Sequence, residues 1–246
     1  MVSGIVGVYY REIAVLRTRL VRSVMASMIS PALFMIAFGY GLGRYQSFDG
    51  LPYLSFLFAG LLAMSTLNAC FGLGTDINIA RFYLKVFDEY LIAPIPRWQI
   101  VVGETLFGIT KGMLNVVIFL VYAVVAGIAL NLNPVFVLAL LMHMAVFALL
   151  GFIVALSVKR HGDQFAINTF IITPMTFLSG VFFPLEQAPA LLYWVMQLFP
   201  ITHSVNLMRG SLMNTGVSIA DFVVLAGYLV VFFTIALYMA KKAEGR

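Results

Sequence analysis

Six apolar runs, each long enough to cross a lipid bilayer as a helix, recur along this chain at roughly 23–43, 53–75, 106–130, 134–157, 165–184 and 219–240. A span needs about 20 apolar residues, and the central portions of these runs carry almost no formal charge. At that depth a backbone must satisfy its own hydrogen bonds, which helices do within a single segment. The expected fold is therefore an all-α polytopic membrane protein with six transmembrane helices, a single domain over residues 1–246. Composition agrees: 62% of residues are hydrophobic and 10% charged, whereas soluble globular domains carry about 25% charged residues. Pro31 and Pro174 fall inside runs one and five and predict kinks, which neighbouring helices can tolerate.

Lysine and arginine set the orientation of such a chain. Twelve of them lie in the N-terminal segment, in the loops after spans two and four, and in the tail, whereas the alternate loops hold only Arg44 and Arg209. Both termini are expected in the cytoplasm, with the chain multi-pass in the cytoplasmic membrane. The net charge of +5 is then a topological signal, and no nucleic acid is needed as a partner. No cleavable signal peptide is expected, since the first 22 residues are amphipathic and hold four arginines.

Two cytoplasmic segments are more than connectors. In residues 1–22, Ile5, Tyr9, Ile13, Leu16 and Leu20 recur at helical spacing, with Arg11, Glu12, Arg19 and Arg22 read as lying off that face. This predicts an amphipathic interface helix, either a plain anchor or a lever joining a cytoplasmic partner to span one. The loop over 76–98 predicts a short helix up to about Leu91, stopped by Pro94 and Pro96. Its Phe82, Phe87, Tyr90 and Leu91 are too apolar for a solvated loop, so headgroups or another protein should cover them.

Catalytic chemistry is missing. The sequence holds no phosphate loop, no HExxH and no nucleophile elbow, and no metal-ligand spacing. Cys70, the sole cysteine, reads as a small packing residue. No carboxylate sits in mid-span, where charge is costly and kept for use. Glu104 and Lys111 come nearest; their seven-residue spacing disfavours direct pairing, leaving snorkelling or contacts to other helices, in either a structural role or one in gating or coupling. His143 in span four is either hydrogen-bonded packing or a proton relay, and Asp163 reads as solvated. A protein of this kind is not an enzyme by itself, and binds no metal or cofactor of its own.

The stretch TFLSGVFFPLEQAPALLYWVMQLFPITHSV, residues 176–205, is as apolar as a span yet cut by Pro184, Pro189 and Pro200. Leu191 to Phe199 would make a helix of roughly 14 Å, about half the hydrocarbon thickness. It predicts an external re-entrant region over 184–218. Its hairpin from Pro184 to His203 has Tyr193 and Trp194 near the interface.

ITPMTFLSGVFFPLEQAPALLYWVMQLFPITHSVNLMRG at 172–210 resembles the signature of the ABC-2 type exporter permeases. DEYLIAPIPRWQIVVGE at 88–104 resembles their Glu-x-Leu-x-x-x-Pro pattern followed by glycine, here Glu89, Leu91, Pro94 and Gly103. GYGLG at 39–43, FLFAGLLAMS at 56–65 and GETLFGITKG at 103–112 also fit, and together resemble the branch of the nodulation-factor exporter permeases. The resemblance implies a homodimer bound to two copies of a separate ABC ATPase, which carries the ATP and Mg. It implies a coupling helix between spans two and three, with Phe82, Phe87, Tyr90 and Leu91 entering a groove of the ATPase, Asp88 and Glu89 at its rim, and Pro94 closing the motif. It implies outward movement of an amphipathic substrate such as a lipo-oligosaccharide, glycolipid or polysaccharide, or alternatively efflux of hydrophobic drugs. The external hairpin would then be either a structural plug or a gate over the exit. An ATP-independent channel or carrier, and a lipid-modifying enzyme, are the competing classes.

Overall fold

The computed structural model describes residues 3–43, 47–48 and 51–243. Arg44 and Arg246, used for the orientation, lie outside the described residues. Among the described residues, five helical segments are long and apolar enough to cross a membrane: Gly4–Gly41, Tyr53–Phe82, Arg97–Ala126, Pro134–Ser157 and Ile219–Ala243.

Helix α1, Ser3–Phe34, runs on as a π-helix over Met35–Leu42. The separate interface helix expected to end at residue 22 is therefore the first part of one long rod. No breaker precedes Pro31, and the helix passes through that proline before widening into π turns. The face of Ile5, Tyr9, Ile13, Leu16 and Leu20 is half-buried, and α1 packs on α5. Glu12 corrects the reading: it lies on the buried side, 4% exposed, one turn beyond the buried Val8.

A two-residue antiparallel ladder, β1 (Ser47–Phe48) with β2 (Leu51–Pro52), precedes α2, Tyr53–Phe71. The chain bends at Gly72 into α3, Leu73–Phe82. A short α4, Phe87–Ile92, ends before Pro94 and Pro96, and α5 starts at Arg97, earlier than the expected 106, and runs to Ala126. Asn133 caps α6, Pro134–Ser157: its side chain accepts from the Phe136 N–H at 2.8 Å, with Pro134 at the first helical position. Helices α2 and α6 hold the centre: Phe58, Phe147 and Phe152 are fully buried, and Phe58 meets Phe119 of α5 with ring centroids 5.5 Å apart.

The fifth apolar run is helical but broken and shorter than 165–184. α7 (His161–Ile167), π turns (Asn168–Ile172) and α8 (Thr173–Phe177) follow without a gap, and the helix stops at Phe177. Pro174 sits just after the π turns, which absorb the hydrogen bond it cannot make. Beyond it Gly180 adopts φ +74 and the chain becomes irregular. That irregular backbone is buried yet satisfied: Arg209 Nη2 donates to the Gly180 carbonyl at 2.7 Å, and the Tyr53 hydroxyl to the Phe182 carbonyl at 2.9 Å. Three helices follow, α9 (Ala190–Gln197), α10 (Pro200–Leu212) and α11 (Ile219–Ala243). α10 packs against α2, α6 and α11.

Candidate coupling region and membrane groove

On the side where α1 begins, four elements bring ionisable groups together. Arg11 pairs with Glu12 on α1, and its guanidinium stands 6.0 Å from the Tyr90 ring of α4. The Tyr90 hydroxyl reaches Glu12 Oε1 at 3.4 Å, and Arg97 Nη1 donates to the Tyr90 carbonyl at 3.1 Å. α4 is thereby strapped to α1 and to the start of α5. Burial, and next the Glu104 and Glu12 carboxylates, push the Tyr90 phenol well above its ordinary pKa, so it stays a neutral donor. Glu104 on α5 is 1% exposed, and neither carboxyl oxygen has a hydrogen-bond partner. Lys111 pairs with Asp76 of α3 at 2.6 Å rather than with Glu104, the contact to another helix that its spacing favoured.

The expected docking face divides. Phe87 is 2% exposed and turned inward against Tyr90, with ring centroids 5.9 Å apart. Phe82 and Tyr90 are half-buried, while Glu89 and Pro94 are exposed. The side chains of Asp88 and Leu91 lie outside the described atoms. Tyr83 and Leu84, which the sequence pattern did not single out, are the large exposed apolar groups here. They precede Lys85, whose φ of 57 makes the turn into α4.

Deeper along the rod, α1, α2 and α5 leave a groove of about 450 Å³. Ser23, Ser27 and Ser30 line it from α1, Ser65 and Asn68 from α2, and Asn115 from α5, with Lys111 at one end. The sequence reading missed this feature. Its signal was present: Ser23, Ser27 and Ser30 recur at spacings of four and three inside an apolar run.

At the opposite end, Pro189 and Pro200 stand at the starts of α9 and α10, as helix-start positions accommodate proline. Pro184 leads into a single 3₁₀ turn over Leu185–Gln187. Tyr193 and Trp194 meet edge to face at 5.8 Å, Trp194 being 67% exposed. Pro200 and His203 are buried in α10, so the hairpin has an exposed first helix and a buried second one. His203 Nδ1 meets Asp221 Oδ1 of α11 at 2.6 Å, and Nε2 donates to the Gln197 carbonyl at 2.9 Å. Burial lowers the His203 pKa, but the hydrogen bonds to Asp221 and Gln197 and the Asp221 charge outweigh it, leaving the pKa raised.

In the core, His143 Nε2 stands 3.0 Å from the Ala63 carbonyl and Nδ1 2.7 Å from the Ser204 hydroxyl. A carbonyl can only accept, so Nε2 carries a proton, while Nδ1 lies against the Ser204 hydroxyl, which itself donates to the Ile201 carbonyl at 2.9 Å. Both nitrogens are occupied, which is the packing arrangement. Cys70 is fully buried. Among the described residues, no group of three or more His, Cys, Asp or Glu side chains could hold a metal.

The family model for ABC-2 type transporters matches residues 6–213. The chain belongs to that family. It is similar to the inner membrane transport permease YadH of Escherichia coli K12, 28% identical over 236 residues, covering 92% of this chain and 90% of that one. It is similar also to nodulation protein J of Sinorhizobium fredii NGR234, 26% identical over 212 residues, covering 85% and 81%. Nodulation protein J of Rhizobium meliloti is 28% identical over 190 residues, covering 76% and 72%. This ABC-2 chain is thus a multi-pass membrane transport subunit, of a family whose members are not catalysts in their own right.

Proposed function

We propose that this chain is the permease subunit of an ATP-driven exporter, working as a homodimer with two copies of an ABC ATPase, to which ATP and Mg bind. The substrate is an amphipathic molecule of the lipo-oligosaccharide or glycolipid class, moved outward, with both termini cytoplasmic. On this reading the broken helix over 161–177 and the irregular chain to Pro184 make the sixth crossing. The hairpin of α9 and α10 re-enters from outside and covers the exit.

The observation that carries the reading is α4 itself. It is a short helix fixed to two spans, through Arg97 to α5 and through Tyr90 to Glu12 of α1, yet its Glu89, and Leu84 just before it, lie exposed. A rigid element with an uncovered edge suits docking to a second protein that changes shape with nucleotide. Glu104, buried beside this strap, supports a role in coupling, and the family's permeases imply the ATPase partner.

Purification from the native membrane should bring down an ABC ATPase. Leu84→Asp with Glu89→Lys should abolish that co-purification while leaving the chain inserted. Substrate flux in proteoliposomes free of any ATPase, or unimpaired export by the double variant, would sink the assignment.

A further inference from the structure

The groove between α1, α2 and α5 is polar where a membrane protein has little reason to be. Among the described residues, the side chains of Ser23, Ser30 and Asn68 have no hydrogen-bond partner. Asn115 is 6% exposed and gives its amide nitrogen to the Ser65 carbonyl and hydroxyl at 3.0 and 3.1 Å, leaving its Oδ1 without a donor. Polar groups left unpaired in hydrocarbon are costly, and such surfaces persist where they line a wet or occupied cavity. The same wall of α1 could have been leucine or alanine.

Charge narrows the occupant. The one charged side chain in the lining is Lys111, and its Nζ is 2.6 Å from Asp76 Oδ2, so the groove offers no uncompensated charge to select an anion or a cation. What remains are hydroxyl and amide groups, each able to give and accept, beside apolar walls from Phe34, Leu61 and Met64. That combination matches a sugar ring, with hydroxyls at its rim and carbon–hydrogen faces above and below. About 450 Å³ is the size of an ordinary small-ligand site.

We infer that this groove binds the uncharged, hydroxyl-rich head of an amphiphile, with Ser23, Ser30, Asn68 and Asn115 Oδ1 exchanging hydrogen bonds with its hydroxyls. Its identification as a station for the transported molecule rests on the exporter reading; the binding itself does not.

The native chain supplies a silent background for the test, because Cys70 is its sole cysteine and is fully buried. Single-cysteine reporters Ser30→Cys and Asn68→Cys, with Ile29→Cys as a control on the exposed face of α1 that does not line the groove, are reconstituted in proteoliposomes. A water-soluble methanethiosulfonate reagent should modify both groove reporters and spare the control. Octyl β-glucoside should then slow that reaction, while octyl sulfate and octyl trimethylammonium at equal concentration in the membrane should not. Adding Ser23→Ala to the Asn68→Cys reporter removes one exposed hydroxyl. It should weaken the glucoside's protection by roughly 2- to 10-fold, the worth of a neutral hydrogen bond. Unreactive groove cysteines, equal protection by the charged amphiphiles, or protection indifferent to Ser23→Ala would each overturn the inference. No ATPase enters this assay, so its failure would leave the exporter reading standing, and failure of ATPase co-purification would leave the binding result standing.

Discussion

Replacing Gly60 by alanine tests how the irregular chain after α8 is held. A Cβ at Gly60 would lie 2.6 Å from the Val181 carbonyl oxygen and 2.8 Å from its Cα, both backbone atoms. Ordinary contact begins near 3.4 Å, so the segment must retreat by about 0.8 Å. That retreat is opposed by the two bonds flanking Val181, from Arg209 to the Gly180 carbonyl and from Tyr53 to the Phe182 carbonyl, at 2.7 and 2.9 Å. Lengthened by a comparable amount, both would pass out of hydrogen-bond range. Overpacking of this kind costs about 1–3 kcal/mol, against up to about 1 kcal/mol returned by alanine's helix preference. The net expectation is a loss of about 1–2 kcal/mol by the difference of those terms. Gly227→Ala in α11 is the matched control: nothing lies within 4 Å of its Cβ, so only the favourable propensity term should appear. Equilibrium unfolding of the purified protein by dodecyl sulfate in mixed micelles measures both. If Gly60→Ala proves as stable as the parent, or shifts in the same direction as Gly227→Ala, the close backbone approach is not what positions this segment.

Three further outcomes follow from the same geometry. Arg209→Lys keeps the charge but loses the Nη2 bond to Gly180 and the 3.6 Å stack on Phe56; it should cost about 1–3 kcal/mol and combine non-additively with Gly60→Ala, since both act on one segment. His143→Leu removes both hydrogen bonds of the ring, although Ser204 keeps the Ile201 carbonyl and the Ala63 carbonyl keeps the Thr66 hydroxyl; a loss of about 2 kcal/mol is expected by the same unfolding assay, partly restored in His143→Gln. The His203 pKa is raised in the folded protein, so its stabilisation is fully present below the ordinary value of 6.5 and lost as pH rises through the folded value. The unfolding midpoint should fall across that interval relative to Asp221→Asn, which removes the acidic partner and flattens the profile.

Much of this architecture is legible in the sequence because it is written in local terms. Pro94, Pro96, Pro189 and Pro200 mark helix boundaries within a residue or two of where they occur, since proline acts on its own turn and the one before. The apolar face of α1 is likewise a matter of spacing. What escapes is what depends on a distant partner. Glu12 reads as lying off the apolar face until Tyr90 of α4, 78 residues later, reaches it, and Lys111 reads as a snorkelling side chain until α3, 35 residues earlier, supplies Asp76. Phe87 has the profile of a docking residue, and only the fold turns it inward. The fifth run looks like an ordinary span because hydropathy does not register Gly180, whose backbone conformation ends the straight course. The polar groove escaped for a simpler reason: three serines do little to the mean hydropathy of an apolar run, although their spacing puts them on one wall.

The unbroken course of α1 has a geometric consequence. At 1.5 Å per residue, Ser27 stands about 23 Å and Leu42 about 45 Å along the axis from Glu12, the π turns being treated as helix. If the strap at Glu12 and Tyr90 acts as a fulcrum, a tilt of about 5° displaces the groove wall by about 2 Å and the far end by about 4 Å. A 2 Å retreat of Ser23 and Ser30 exceeds the tolerance of any hydrogen bond they make to a bound head group. A modest angular input at one membrane face would therefore both release a bound head group and part the outer contacts, with the rod's own length providing the amplification.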